Sequence, residues 1–176
     1  MAKATARVNA RKLSLFSLYQ FLLHAMATDS RDLPLISDGL SGQGKIVPWS
    51  IRYSLLLSFY EDRDLFESNL EYCQKQFFSY KNPGNVDREY CFAFRQGLLD
   101  YGYGMYDSFK GYFSKLPFES LDPLDQSLFL LGYVESKTLH TEKKILINEL
   151  IELAKRYGDP GSSRIINAVF DKWIRL

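Results

Sequence analysis

The chain has 176 residues, is 46% hydrophobic and 24% charged, and carries a formal net charge of +1. A chain of that length can bury roughly 70% of its unfolded surface without metal or disulfide staples, and its balance excludes a largely disordered or collagen-like protein. With the net charge so close to zero, nucleic-acid affinity has to come from a local patch and not from bulk charge.

The chain opens on such a patch. Lys3, Arg7, Arg11 and Lys12 precede LSLFSLYQFLLHAMA, and no acidic residue occurs before Asp29. Cations followed by an apolar stretch look like a secretory signal, or like an arginine-rich organellar leader. The apolar stretch is not uniform, however. Ser14, Ser17, Gln20 and His24 recur at spacings of three and four, opposite a stripe of Leu15, Leu18, Tyr19, Leu22 and Met26. That pattern predicts an amphipathic helix that packs on one side. No apolar run approaches the ~20 residues of a membrane helix.

Residues 29–48 are dense in Gly, Ser, Asp and Pro and read as a loop. Within it, Gly39-Leu40-Ser41-Gly42-Gln43-Gly44-Lys45 matches the first part of a phosphate-binding loop. It lacks the preceding strand, the hydroxyl residue after the lysine and a prompt following helix, so a surface loop is the better reading. A second helix is predicted from Pro48-Trp49-Ser50 through the next tyrosines. A third follows, with Leu70, Cys73 and Phe77 on one face. Lys81 to Asn85 read as a turn. A long helical pattern then runs from about Val86 to Lys115, weakened at Gly102 and Gly104.

Asp122-Pro123-Leu124-Asp125 is a helix start. Asp122 suits the N-cap, Pro123 the first helical position, and Asp125 the positive end of the helix dipole. The next helix, KKILINELIELAKRYG, places Ile147, Leu150, Ile151, Ala154 and Tyr157 inward and ends at Gly158. The last begins near Ser162, with Ile165, Ile166, Val169, Phe170 and Trp173 on its buried face. Strand-like alternation is nearly absent, which predicts an all-α bundle of about seven helices.

Cys73 and Cys91 show no metal-ligand spacing with His24 or His140, so neither a metal nor another cofactor is expected. So few cysteines also point to an intracellular, cytoplasmic setting. No Ser-His-Asp or Cys-His set is suggested, and the carboxylates are spread over helix faces. No catalytic residue, and no enzyme activity, is expected.

Several stretches resemble one known family. ILINELIELAKRYG followed by SSRIINAVFDKWI resembles the C-terminal helix pair of the NusB transcription antitermination family. ARVNARKLSLFSLYQ is similar to its arginine-rich opening, and REYCFAFRQGL and LDPLDQSLFLLGYVE to two further helices. The resemblance implies a single domain over 1–176 made of two packed helical halves. These are an N-terminal half of about 1–85, including an extended loop or insert at 29–85, and a C-terminal half of about 86–176. It implies a non-enzymatic RNA-binding factor that holds single-stranded boxA RNA of ribosomal RNA leaders with ribosomal protein S10 (NusE). The assembly serves the RNA polymerase antitermination complex and supports rRNA maturation. A homodimer is also among the assemblies the family admits.

Matched to this sequence, the resemblance assigns RNA contacts to Lys3, Arg7, Arg11, Lys12, Tyr19, Ser162, Ser163, Arg164 and Asn167. It assigns S10 contacts to Asp125, Lys143 and Lys144. Each has a plainer role as well: a solvated helix start for the cations, core packing for Tyr19, capping for Ser162, dipole complementarity for Asp125. The sequence departs from the family where Val8 and Asn9 interrupt the arginine run. It departs again at Ala168, in place of a glycine, and at Gly161, in place of a common acidic residue. Fewer cations imply lower RNA affinity and a flatter salt dependence.

Overall fold

A computed structural model describes residues 2–27, 36–37, 45–78, 85–114 and 116–174. Among them are eight α-helices: α1 (Ala2–Ala27), α2 (Trp49–Glu61), α3 (Arg63–Phe77), α4 (Arg88–Tyr101), α5 (Gly104–Phe109), α6 (Pro123–Thr138), α7 (Lys143–Tyr157) and α8 (Ser162–Ile174). One two-residue strand pair accompanies them, β1 (Ile36–Ser37) with β2 (Lys45–Ile46), antiparallel with Ile36 opposite Ile46. The all-α expectation therefore stands with one more helix than predicted and a minimal ladder in the 29–48 segment. Residues Gly39 to Gly44 of the phosphate-loop lookalike, and 81–84 of the predicted turn, lie outside the described residues.

α6 is the axis of the molecule. Asp122 caps it by accepting a bond from the Leu124 N–H at 2.8 Å, and Pro123 occupies the first position. Every residue from Leu124 to Glu135 is buried, so this helix is covered on all sides. α1, α4, α5, α7 and α8 all pack against it, while α2 and α3 lie on α1. Gly132 lets α7 and α8 approach, because a Cβ there would collide with the Phe170 ring and the Leu150 side chain. The surplus of rings fills this centre. Phe129 and Phe170 stack with centroids 5.6 Å apart, and Phe109 lies 5.2 Å from each of them.

Two features differ from the sequence reading, in α1 and α7, and a third, the break at Gly102 and Gly104, follows it. α1 is not one-sided: Ser14 and Ser17 of its polar stripe are buried along with Leu13, Leu15, Phe16 and Leu18. α1 lies between α6 on one side and α2, α3 and α4 on others, and the Ser17 hydroxyl is satisfied by the Tyr60 hydroxyl at 3.0 Å. The long pattern from Val86 is broken between α4 and α5. There the Tyr53 hydroxyl reaches in to donate to the Leu98 carbonyl at 2.7 Å, through space a side chain at Gly102 would fill. α7 buries Leu150 and Ala154 as predicted and adds Leu146 and Leu153, while Tyr157, expected inward, stays exposed.

The helices are held in register by one buried carboxylate. Glu135 on α6 accepts from Arg11 Nε at 2.9 and 3.0 Å and Arg11 Nη2 at 2.7 Å, from the Tyr90 hydroxyl at 2.6 Å, and from the Thr141 hydroxyl at 2.6 Å. Arg11 is 3% exposed and Glu135 is fully buried. Burial alone would lower the pKa of Arg11, but the bonds and charge of Glu135 outweigh it and raise the pKa. A second buried cation, Arg52 on α2, donates through Nη1 to the Glu119 carbonyl and to Gln126 Oε1, both at 3.0 Å.

Two outcomes test this architecture. Arg11→Met strands the Glu135 charge and should lower stability by about 3–5 kcal/mol, while Arg11→Met with Glu135→Leu should recover much of the loss. A urea double-mutant cycle reads both, and a near-zero coupling energy contradicts the role given to the pair. Gly132→Ala should lower stability by about 1–3 kcal/mol through overpacking. An unchanged melting temperature would show that α7 and α8 can yield there.

Candidate nucleic-acid interface

The N-terminal cations do not act as one group. Arg7 keeps 43% of its side chain exposed, 3.6 Å from Asp87, with its guanidinium over the Tyr90 ring at 5.9 Å. Arg11, four residues on, is the buried partner of Glu135 and has no surface to offer. Its assignment as a phosphate contact is corrected here: Glu135 on α6 takes Nε and Nη2, and Nη1 faces Glu149 on α7 at 3.5 Å. Lys12 is half-buried and lines a cleft of about 300 Å³ with Glu149, Glu152, Lys155 and Arg156 of α7. Lys3 lies on α1 with its side chain outside the described residues.

From Lys12 a chain of contacts leads to a surface of exposed rings. The Arg156 guanidinium sits over the Tyr157 ring at 5.5 Å. Tyr157 meets Phe16 edge-on at 5.0 Å, and Phe16 stacks on Phe77 at 3.9 Å with 22° between planes. Phe16 and Phe77 share a cleft of about 330 Å³ with Tyr19, Gln20, Leu23 and Tyr72. Tyr72 is 51% and Phe77 54% exposed. Of this ribbon only Lys12 and Tyr19 were assigned from the sequence. Tyr157 and Phe77 read there as core positions, because helical periodicity points them inward. The local signal lay in rings adjoining cations, as in Lys155-Arg156-Tyr157 and around Lys75.

α8 begins four residues beyond Gly158, so its start lies at the Tyr157 end of α7. Arg164 and Asn167 are exposed there and Ser163 is half-buried, but Ser162 is 1% exposed and is corrected as a phosphate contact. Ser162 stands beside Asp125 instead. Asp125 is buried, and burial, reinforced by the charges of Asp122 and Asp159, raises its pKa against the opposing effect of Ser162. The bond between them is not well formed, since both Ser162 Oγ and Asp125 Oδ1 are buried without a partner. Lys143 and Lys144 are exposed at the other end of α7, about 20 Å from Tyr157 along the helix. The structure thus brings Asp125 to Ser162 and separates it from the two lysines.

Burial pushes the Cys73 and Cys91 thiols up to about 11, so both stay protonated at neutral pH. Among the described residues no group of three His, Cys, Asp or Glu is placed to hold a metal ion. None of their helices is long and apolar enough to cross a membrane.

The described residues form a helical bundle with cations and rings along one side. The sequence profile of the NusB family matches residues 53–175, and the chain belongs to that family. The match takes in α3 and most of α2, which the sequence reading placed in an insert, and leaves residues 1–52 before it. The transcription antitermination protein NusB of Azoarcus sp. (strain BH72) is 39% identical over 88 residues, covering 49% of this chain and 56% of that protein. The NusB of Pseudoalteromonas atlantica is 33% identical over 95 residues, covering 53% and 67%. The matched segments span little more than half of such relatives. The solved structure of T. maritima NusB superposes with a TM-score of 0.54 over 94% of this chain and 90% of that one, at 18% identity. That likeness shows a shared fold.

The raised Asp125 pKa yields a signed prediction. Because the folded state disfavours the Asp125 charge, its contribution to stability is fully present below the ordinary carboxylate range and is lost as pH rises through its raised folded value. Asp125→Asn should therefore stabilise the protein at pH 7, and the gain should vanish below about pH 4. Thermal melts at both pH values check this, and a destabilised variant at pH 7 contradicts it.

Proposed function

We propose that this protein is a transcription antitermination factor that binds single-stranded boxA-type RNA of ribosomal RNA leaders. It does so jointly with ribosomal protein S10, within the RNA polymerase antitermination complex, and supports rRNA transcription and maturation. The observation that carries this reading is the unbroken run from Lys12 and Arg156 through Tyr157, Phe16 and Phe77 to Tyr72 and Tyr19. Single-stranded RNA is held by backbone phosphates on cations and by bases stacked on rings. A protein with a net charge of +1 has to concentrate those groups, and here they share one surface. Arg7, Arg164 and Asn167 flank it. S10 is assigned to the exposed Lys143 and Lys144, since Asp125, at 5% exposure, is as withdrawn from a partner as Arg11 and Ser162.

A second reading is a helical protein-interaction module with weakened RNA binding. The burial of Arg11 and Ser162 favours it, because each removes a group from the RNA surface. The two separate in a titration of the protein, alone and with S10, against boxA RNA and a scrambled control across a salt series. The first reading expects boxA preference in the joint complex. Tyr72→Ala should weaken it about tenfold, since a stacked base is worth about 1–3 kcal/mol. Arg156→Ala should reduce the salt slope by about 0.7, one phosphate's share for a single strand. S10 capture without measurable RNA binding establishes the second reading, and loss of both sinks the assignment.

A further inference from the structure

The cleft lined by Tyr19, Tyr72 and Phe77 also contains two side-chain amides, Gln20 and Gln76. Both residues are exposed, but only one amide is held. Gln20 Oε1 accepts from Asn69 Nδ2 at 2.9 Å and from the Cys73 thiol at 3.5 Å. Asn69 and Cys73 lie one turn apart on α3 and are both withdrawn from solvent, so the Gln20 amide is gripped from the protein side. Among the described residues nothing comparable holds Gln20 Nε2 or the Gln76 amide.

The direction of this grip matters. Burial pushes the Cys73 thiol up to about 11, so it keeps its proton and is a donor. Gln20 Oε1 is the nearer of its acceptors, and Asn69 Oδ1, at 3.7 Å, is the other. Both amide oxygens face the thiol, which turns Asn69 Nδ2 toward Gln20 Oε1. A glutamine whose oxygen is occupied on the protein side has only N–H groups left for the cleft. Glutamine ordinarily pairs with adenine through Oε1 and Nε2 together, and that mode is closed here because Oε1 is taken twice. What remains is a donor. Uracil carries a carbonyl oxygen where cytosine carries an amino group, and guanine carries one where adenine carries an amino group. An N–H bonds the carbonyl oxygen and meets the amino group donor to donor.

We infer that Gln20 reads the base held in the ring cleft and selects the keto bases, uracil and guanine, over cytosine and adenine. This selection rests on the reading of the ring surface as the RNA contact. Stacking on Tyr72 or Phe77 holds any base, because every base has a π-face, and the fixed amide beside the rings supplies the distinction. Asn69 is a positioning residue, since it acts by fixing which end of the Gln20 amide points into the cleft. The Gln76 amide can turn either way and discriminates nothing.

Fluorescence anisotropy of labelled octauridylate and octacytidylate, titrated with the full chain alone and with S10, tests this. The two strands carry the same charge and the same size of ring, so their ratio of affinities isolates the base edge. Octauridylate should bind about fivefold more tightly, the worth of one hydrogen bond. Gln20→Ala should bring the ratio to about one, and Gln76→Ala should leave it as it was. Asn69→Asp should invert it, because the new carboxylate accepts from Gln20 Nε2 and turns Oε1 outward to meet the cytosine amino group. If circular dichroism shows that Asn69→Asp does not fold, Asn69→Leu, which releases the amide, should level the ratio instead. A merely structural role for Asn69 would move both affinities together and leave the ratio alone. Equal affinities in the unaltered chain, or a ratio that Gln20→Ala or the folded Asn69 variant leaves intact, overturn the selection while the ring surface stands. Failure of both strands to bind, with and without S10, removes the ring surface and the selection with it.

Discussion

Five donor contacts converge on the carboxylate of Glu135, and the arrangement of the molecule depends on them. They come from α1 through Arg11, from α4 through Tyr90, and from the α6–α7 connection through Thr141. A carboxylate fully withdrawn from water is tolerable only if its lone pairs are filled and its charge is matched. Satisfying that condition leaves little freedom in how the three segments sit about α6. The pair is weak evidence for net stability, because desolvating both ions offsets much of their attraction. Its consequence is register: the first helix of the chain is locked to a residue 124 positions away.

That lock changes what the N-terminus can do. A cation-rich opening looks, as sequence, like four equivalent charges. The fold divides them, assigning Arg11 to the interior and leaving Arg7 and Lys12 at the surface. The contact surface is then completed by groups from elsewhere, Arg156 and Tyr157 at the end of α7 and Tyr72 and Phe77 on α3. Phe16 is the pivot, since it touches both Tyr157 and Phe77. A buried ring is thus what makes two exposed ones part of the same surface.

The two ends of α7 stand differently toward the helix dipole. Its C-terminal turn carries Lys155 and Arg156, where cations suit the dipole. Its N-terminal turn carries Lys143 and Lys144, where they do not. Its neighbour α6 follows the rules at its start, with Asp122 as cap and Pro123 beside it.

The sequence by itself determined the helices, because caps, prolines and apolar periodicity act over a few residues. The Asp122 cap, the ends of α7 and the start of α8 needed nothing beyond their neighbours. The family was legible for a similar reason, in the packing pattern of the last two helices. The tertiary structure decided which face of each helix is inside. α1 and α6 are covered on several sides, so polar Ser14 and Ser17 are buried against expectation. The weak point that Gly102 and Gly104 mark in the sequence is where the Tyr53 hydroxyl bonds the Leu98 carbonyl, and Tyr157 lies outward while α7 packs through Leu146, Leu150, Leu153 and Ala154. The strand-pairing of Ile36 with Ile46 and the joining of α3 with α7 through Phe16 are contacts between residues far apart in the chain. A one-dimensional pattern carries no record of which distant side chain will compete for a given donor, and that competition is what withdrew Arg11 from the surface.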